Sequence, residues 1–376
     1  MSTALCLGGD IECNYNTFKN FKSDLGTNMS DYGQNGQIRT INGILCFYYN
    51  GWHALGEATL PIPTDTVFVS PSFNNVFPFY STIIDAINNS DNNYNIIVFA
   101  GEYYESVDMS KRHFYFHPNS HVIGECNMDY SSNQCSIEGY GSFYASSGIA
   151  LHITDSADSS ETHSLEFDSV NTLVLNTWSG KVKCREIKYG LLSILGSSTN
   201  ETIDKTISIE APYIEDINIS SYFTKVFINT NYINKSINVI AGDVEVEFKR
   251  FGNDTSNGYK VNVAGTSSSK IATLKLIDGS LPENWDYLTP VIVGDYSKVI
   301  LQHIWIKNGH REAIFLNGSV RNSHLLKVDN CILIANEAID STLTSQDVYC
   351  FGSWGQNDVT SNIVMRTEPL NIGVIW

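Results

Sequence analysis

Basic side chains are scarce in this 376-residue chain: 23 Lys and Arg stand against 40 Asp and Glu, a formal net charge of −17. Charged residues of both signs make up only 17% of it, against roughly 25% in an average soluble domain. So cation-poor a chain is a bad partner for a phosphate backbone or an anionic membrane surface, so nucleic acid is not expected as a partner. No apolar run approaches the ~20 residues of a spanning helix, so membrane insertion is not expected either. The first residues, Met1 to Asp10, lack a positive region and a long apolar stretch, and no secretory signal is read there. The eight cysteines, Cys6, Cys13, Cys46, Cys126, Cys135, Cys184, Cys331 and Cys350, form no Cys-x-x-Cys pair and match no zinc spacing. They are expected to be buried free thiols of a protein folded in a cytoplasm. Gly-rich phosphate loops, Gly-x-Ser-x-Gly elbows and His-Glu-x-x-His sites are missing too, so no cofactor or metal is expected.

What is present is apolar and uncharged. Hydrophobic residues make up 42% of the chain and aromatics 12%, enough for a large core and too much for a disordered chain. The surface must be polar through Asn, Ser, Thr and Tyr. Such side chains suit stacked strands, where like charges repeated every ~4.8 Å would repel.

The chain organises as a head, a bridge and a long β-rich body. In the head, residues 1–60, the stretch Gly36 to Gly56 carries two short apolar strands beside Asn42-Gly43 and Asn50-Gly51. Asn-Gly between such strands is a hairpin signal, with Trp52 and Leu55 as the expected closing contacts. Residues 61–80, with Pro61 and Pro63, read as a linker. Ser81 to Ile87 reads as one short helix, apolar at Ile83, Ile84 and Ile87. Further on come alternating dyads: Ile207 and Ile209, Ile217 and Ile219, Val226 and Ile228, Ile237 and Val239, then Val244, Val246 and Phe248. Period-two alternation marks a half-buried strand. Strand starts about 7 to 11 residues apart suggest a sandwich, a barrel or a solenoid. Val299 to Asn308 and Leu325 to Asn336 share a cadence of strand, polar corner, β-branched strand and Asn, which favours the solenoid. Asn suits a left-handed bend at a corner and can stack in amide ladders. Residues 81–351 are thus expected to be the β-body, and 352–376, ending on Ile375 and Trp376, a cap or subunit interface. The alternative architecture is a β-sandwich or jelly roll.

Two resemblances sharpen this reading. Gly36, Ile38, Arg39, Asn42, Gly43, Leu45, Tyr48, Tyr49, Asn50, Gly51, Trp52 and Leu55 form a segment similar to modules of bacteriophage tail fibres and neck appendages. The helix at 81–87, the strand from Asn95, Ala100-Gly101-Glu102-Tyr103 and Gly124 resemble the opening of a pectate-lyase-like fold, shared by pectin esterases and many phage tailspikes. That second resemblance covers 81–124. It implies an all-β, right-handed, single-stranded parallel β-helix capped by the helix. It speaks to fold, not chemistry. The pectin-esterase active-site strand and its later Arg-x-Trp do not occur, and Gly355-Gln356 lies out of order, so no catalytic residue carries over.

The chemistry legible in the residues is thin. Asp243, Glu245 and Glu247 alternate along one strand and share a face, so two of them are weak candidates for an acid and base pair. The expected reading is a solvated outer face opposite the inward Val244, Val246 and Phe248. Glu210, Glu215 and Asp216 form a second acidic cluster around Pro212 and read as solvated corner residues. Trp285 and Tyr287 sit in a polar loop and Trp305 on a strand; these aromatics are the candidates for stacking on sugar rings. Trp178 and Trp354 lie near Gly-containing turns. His113, His117 and His303 are read as structural.

The resemblances imply a structural or adhesion component of a phage virion: a tail fibre, tailspike or head fibre. It would be made in the host cytoplasm, anchored to other virion proteins by its head, and trimeric like most such fibres. A host-surface glycan is the candidate ligand. The alternative is a polysaccharide depolymerase on the same fold; a secreted bacterial adhesin fits less well without a signal.

Overall fold

The computed structural model describes residues 65–366 apart from 93, 111, 131–134, 156–161, 197–204, 253–259, 283–288, 321–322, 343–345, 352–353 and 357–362, together with strands at 25–26, 38–41, 44–48 and 52–54. The chain divides into two compact units, Met1–Thr66 and Val67–Trp376.

In the first unit, Ile38–Ile41, Ile44–Tyr48 and Trp52–Ala54 form an antiparallel meander. Ile41 lies opposite Ile44 and Tyr48 opposite Trp52. Ile38–Ile41 and Trp52–Ala54 thus both run antiparallel to Ile44–Tyr48. Leu25–Gly26 adds a parallel strand to Ile38–Ile41. Gly36, Asn42, Gly43, Tyr49, Asn50, Gly51 and Leu55 of the fibre-like segment lie outside the described residues, as does the expected contact of Leu55 with Trp52.

The second unit is one large all-β sheet of parallel strands, with one short helix among the described residues. Each strand pairs with strands about one circuit earlier and later, so the strands fall into three columns. The first begins Asn95–Val98, His113–Phe116 and Ser136–Gly139 and ends Gln346–Phe351 and Ile363–Arg366. The second begins Gly101–Tyr103, Ser120–Ile123 and Ser142–Tyr144 and ends Ile332–Ser341 and Trp354–Gln356. The third begins Val107–Asp108, Cys126–Asp129 and Leu151–Thr154. Circuits differ in length: a short one brings His113 opposite Asn95, and a longer one brings Thr273 opposite Asp243.

The core sits inside the columns because, in most of the strands whose burial is described, alternate residues turn inward. One inward stack of the first column reads Ile96, Phe114, Ile137, Leu165, Val182, Ile209, Ile228, Val246, Leu276, Leu301 and Val328. All are at most 2% exposed. Burying each such side chain is worth about 1.5–3 kcal/mol, and β-branched residues fit the pleat. Every dyad from Ile207 to Phe248 falls within or directly after a strand with its apolar members buried.

The corners follow the sequence in part. Asp278, His303 and Asn330 adopt left-handed φ of 58°, 54° and 50° at the same corner of successive circuits, and Asn119 does so at 64°. His303 Nδ1 meets Asp278 Oδ1 at 2.9 Å. Asn308, expected to bend the chain, instead lies fully buried within Trp305–Asn317 and donates Nδ2 to the Glu312 carbonyl at 3.0 Å. There the strand shifts register between Asn308 and Glu312 rather than turning through a left-handed residue. Amide stacking occurs on the strands: Asn238 Nδ2 donates to Asn218 Oδ1, and Asn262 Nδ2 to Asn238 Oδ1, both at 2.9 Å.

Parallel pairing begins inside the stretch read as a linker. Phe68 lies opposite Phe79 and Val69 opposite Tyr80. It also runs past 351 into the stretch read as a cap, through Ile363–Arg366. The helix, α1, spans Ile83–Asn88, with Thr82 as its N-cap. Ile83 and Ala86 are buried, whereas Ile84, expected on the apolar face, is 38% exposed. So short a helix cannot hold alone. Its ends are fixed by side chains from the next circuit, Glu105 at the amino end and Arg112 at the carboxy end. Gly124 is required because a Cβ there would lie 2.2 Å from the Glu105 carbonyl oxygen. Cys126 and Cys184 are buried free thiols, and Cys135 and Cys331 are buried as well; burial pushes Cys126 and Cys184 up to about 12, which keeps them protonated and inert.

Candidate ligand-binding face

Asp243, Glu245 and Glu247 point outward from Ser236–Glu247, opposite the buried Val244 and Val246. Glu245 Oε2 is paired with Lys275 Nζ at 3.0 Å across one circuit. Asp243 lies in register between Lys225 and Thr273, and Glu247 between Asn229 and Ile277. This places the three carboxylates in solvent among cations and uncharged neighbours. The same outer face pairs opposite charges elsewhere: Lys183 with Glu166 at 2.8 Å, Lys181 with Glu210 at 2.7 Å, and Arg185 through two bonds of 2.9 Å with Asp168. Such exposed pairs contribute little stability each. They offset the repulsion that stacked like charges would create.

Glu215 and Asp216 share a corner between the second and third columns. Glu215 is 6% exposed and accepts from Tyr213 Oη at 2.7 Å and Asn234 Nδ2 at 3.0 Å, with Lys235 Nζ at 3.1 Å. Burial alone would raise its pKa, but these bonds outweigh burial and hold it below the ordinary value. For Asp216 burial prevails, and its pKa is raised despite bonds from the Ser236 hydroxyl and the Ile217 amide. With its oxygens engaged, Glu215 acts as a clamp between two circuits. The solvated corner expected for it is corrected: it is buried beneath its donors.

A second carboxylate clamp has no sequence signal. Asp295 accepts from Ser319 N, Ser319 Oγ, Val320 N and Ser323 Oγ at 2.6–3.0 Å. Burial would raise it, but those bonds lower it to about 2. It thereby fixes the connection into the strand that starts at His324, whose ring is only 7% exposed.

The outer face of the second column carries the aromatics. In register it reads Glu186, Tyr213, Tyr232, Arg250, Ser280, Trp305 and Ile332. Tyr213 and Tyr232 stack with centroids 5.4 Å apart and planes 20° off parallel. Lys188 Nζ lies 4.8 Å from the Tyr189 ring centre and 5.8 Å from that of Tyr213, within cation–π range. Trp305 is 38% and Ile332 45% exposed. Trp285 and Tyr287 lie outside the described residues, but the strand leading to them, Ser280–Leu281, belongs to this face. Trp178 is buried at 1% and cannot meet a ligand. His113 bonds Ser136 Oγ at 3.0 Å and His117 stacks on Phe99 at 4.8 Å.

Among the described residues no three His, Cys, Asp or Glu side chains are placed to hold a metal ion, and no helix is long and apolar enough to cross a membrane. Comparison of the chain with protein-family models, curated proteins and solved structures finds no match.

Proposed function

We propose that this chain is a structural and adhesive component of a bacteriophage virion, of tail-fibre, tailspike or head-fibre type. The observation that carries the reading is the pairing of a small antiparallel meander, built on the fibre-like segment, with a body of parallel strands kept in three columns from Asn95 to Arg366. In this reading the body is a right-handed parallel β-helix of pectate-lyase type, and α1 covers its first circuit. The head docks onto other virion proteins. Three copies associate in parallel, which buries apolar surface at the ends of each body. The outer face of the second column meets a host-surface glycan.

The deciding experiment is electron microscopy of particles carrying an affinity label on this chain, with light scattering of the purified protein. Label at a fixed position on the particle and a trimeric mass are expected. Label absent from particles would overturn the reading; a clean monomer at micromolar concentration would overturn the trimer.

A further inference from the structure

An uneven step on the second column's outer face lies between Arg250 and Trp305. The register places Ser280 directly between them. Adjacent circuits are ~4.8 Å apart, so two circuits separate the guanidinium level from the indole level by about 10 Å. Below this point the equivalent positions are filled by stacked tyrosines. Here the intervening side chain is only a CH2OH group, and its hydroxyl is turned to the Lys249 carbonyl at 3.1 Å. The column thus has a missing rung, with a cation on one circuit and an indole on the other.

Neither wall has a partner of its own kind among the described residues. Arg250 is exposed, and among the described residues its guanidinium has no ion pair, in a chain where acids outnumber bases 40 to 23. Trp305 has no aromatic partner among the described residues. Asp278, on the corner before Ser280, is engaged with His303. Lys249 beside Arg250 is exposed and adds positive charge at the same level.

We propose that Arg250, Ser280 and Trp305 form a slot for one carboxylated pyranose unit of a polysaccharide, a uronate or a sialate by its chemistry. Carbon contacts of ~3.5–4 Å on each side of a puckered sugar ring fill a gap of about 10 Å. The indole supplies the apolar wall for the C–H face of the sugar. Arg250 meets the carboxylate with two parallel N–H donors. The inference rests on the glycan-contact reading above and gives it a place and a charge.

The test is calorimetric titration of the full chain with oligogalacturonate, oligoglucuronate and oligosialate, with methyl-esterified oligogalacturonate and maltohexaose as neutral probes. At least one carboxylated probe binds, the neutral ones bind at least tenfold more weakly, and rising salt weakens binding. Arg250→Gln and Trp305→Ala each weaken it tenfold or more. Ser280→Tyr keeps both walls but fills the slot, and abolishes binding with an unchanged melting temperature. Since Arg250 and Ser280 lie on the surface, these two variants test the slot even if Trp305→Ala fails to fold. No binding by any carboxylated probe, equal binding of neutral probes, or full binding by Ser280→Tyr overturns the proposal. Labelled particles without sugar binding would sink the slot and leave the virion reading standing; sugar binding without label on particles would do the reverse.

Discussion

Glu105 and Arg112 grip opposite ends of the same short helix. The Glu105 carboxylate accepts the Ile83 N–H at 2.9 Å and the Ile84 N–H at 2.8 Å, while Arg112 Nη2 donates to the Ile87 and Ser90 carbonyls, both at 3.1 Å. The first and last turns of a helix carry its unpaired backbone groups and its partial charges. The next circuit supplies an anion to one end and a cation to the other.

Removing either grip should therefore loosen α1. Glu105→Ala and Arg112→Met are each expected to cost about 1.5–3 kcal/mol, the range for hydrogen bonds to charged groups, measured by urea unfolding. The double variant should cost less than the sum, because a detached helix leaves nothing for the second group to hold. Strict additivity would show that the two residues act independently of the helix.

The amide ladder makes a second prediction. Asn238 is the middle rung and loses two side-chain bonds when replaced, whereas Asn218 and Asn262 each lose one. At about 1 kcal/mol per bond, Asn238→Ala should lower stability by about 2 kcal/mol, and either outer Asn→Ala by about 1. Equal effects at all three sites would mean that the outer amides gain their stability elsewhere.

Residues alone reveal whatever depends on neighbours a few positions away. The dyads from Ile207 to Phe248 announce their strands because period two places both apolar members on one side. The helix, the hairpin strands and the capacity of Asn for ladders are legible for the same local reason. Glu215 reads as a solvated corner because its donors Asn234 and Lys235 arrive only with the following circuit. Trp178 stands beside a Gly-containing turn in sequence, and only folding places its ring inside the columns. Ser280 carries no signal at all. Its meaning comes from Arg250 on the circuit before and Trp305 on the circuit after, through a register that no local pattern encodes.

Two acid transitions should be separable. Burial lowers His324 below its ordinary 6.5, so the unfolded chain takes up that proton first. Stability is therefore unaffected above about 6.5 and falls as pH drops below it. Asp295 is held at about 2 against an ordinary 3.8. Its contribution is complete above about 3.8 and is lost as pH falls toward 2. His324→Phe should flatten the upper part of the melting-temperature profile, and Asp295→Asn the lower part. Hydrogen exchange at the Ser319 and Val320 amides should quicken only in the lower window. Faster exchange already at pH 6 would tie the clamp to His324 instead.

Gly279 offers the sharpest check on the packing beneath the slot. A Cβ at this position would lie 2.2–2.5 Å from three ring carbons of Phe248, a side chain that is only 1% exposed and packs edge-on against Phe251 at 5.2 Å. Either the ring or the backbone must shift to admit the methyl, so Gly279→Ala should overpack the core and cost about 1–3 kcal/mol. Phe248→Leu alone removes ring volume and should destabilise through the cavity it leaves. Together the two changes compensate: the added methyl enters space the ring has vacated. The double variant is expected to be more stable than the sum of the single losses implies, by at least about 0.5 kcal/mol in a double-mutant cycle. A coupling of zero would mean that the Gly279 backbone, rather than the Phe248 ring, gives way.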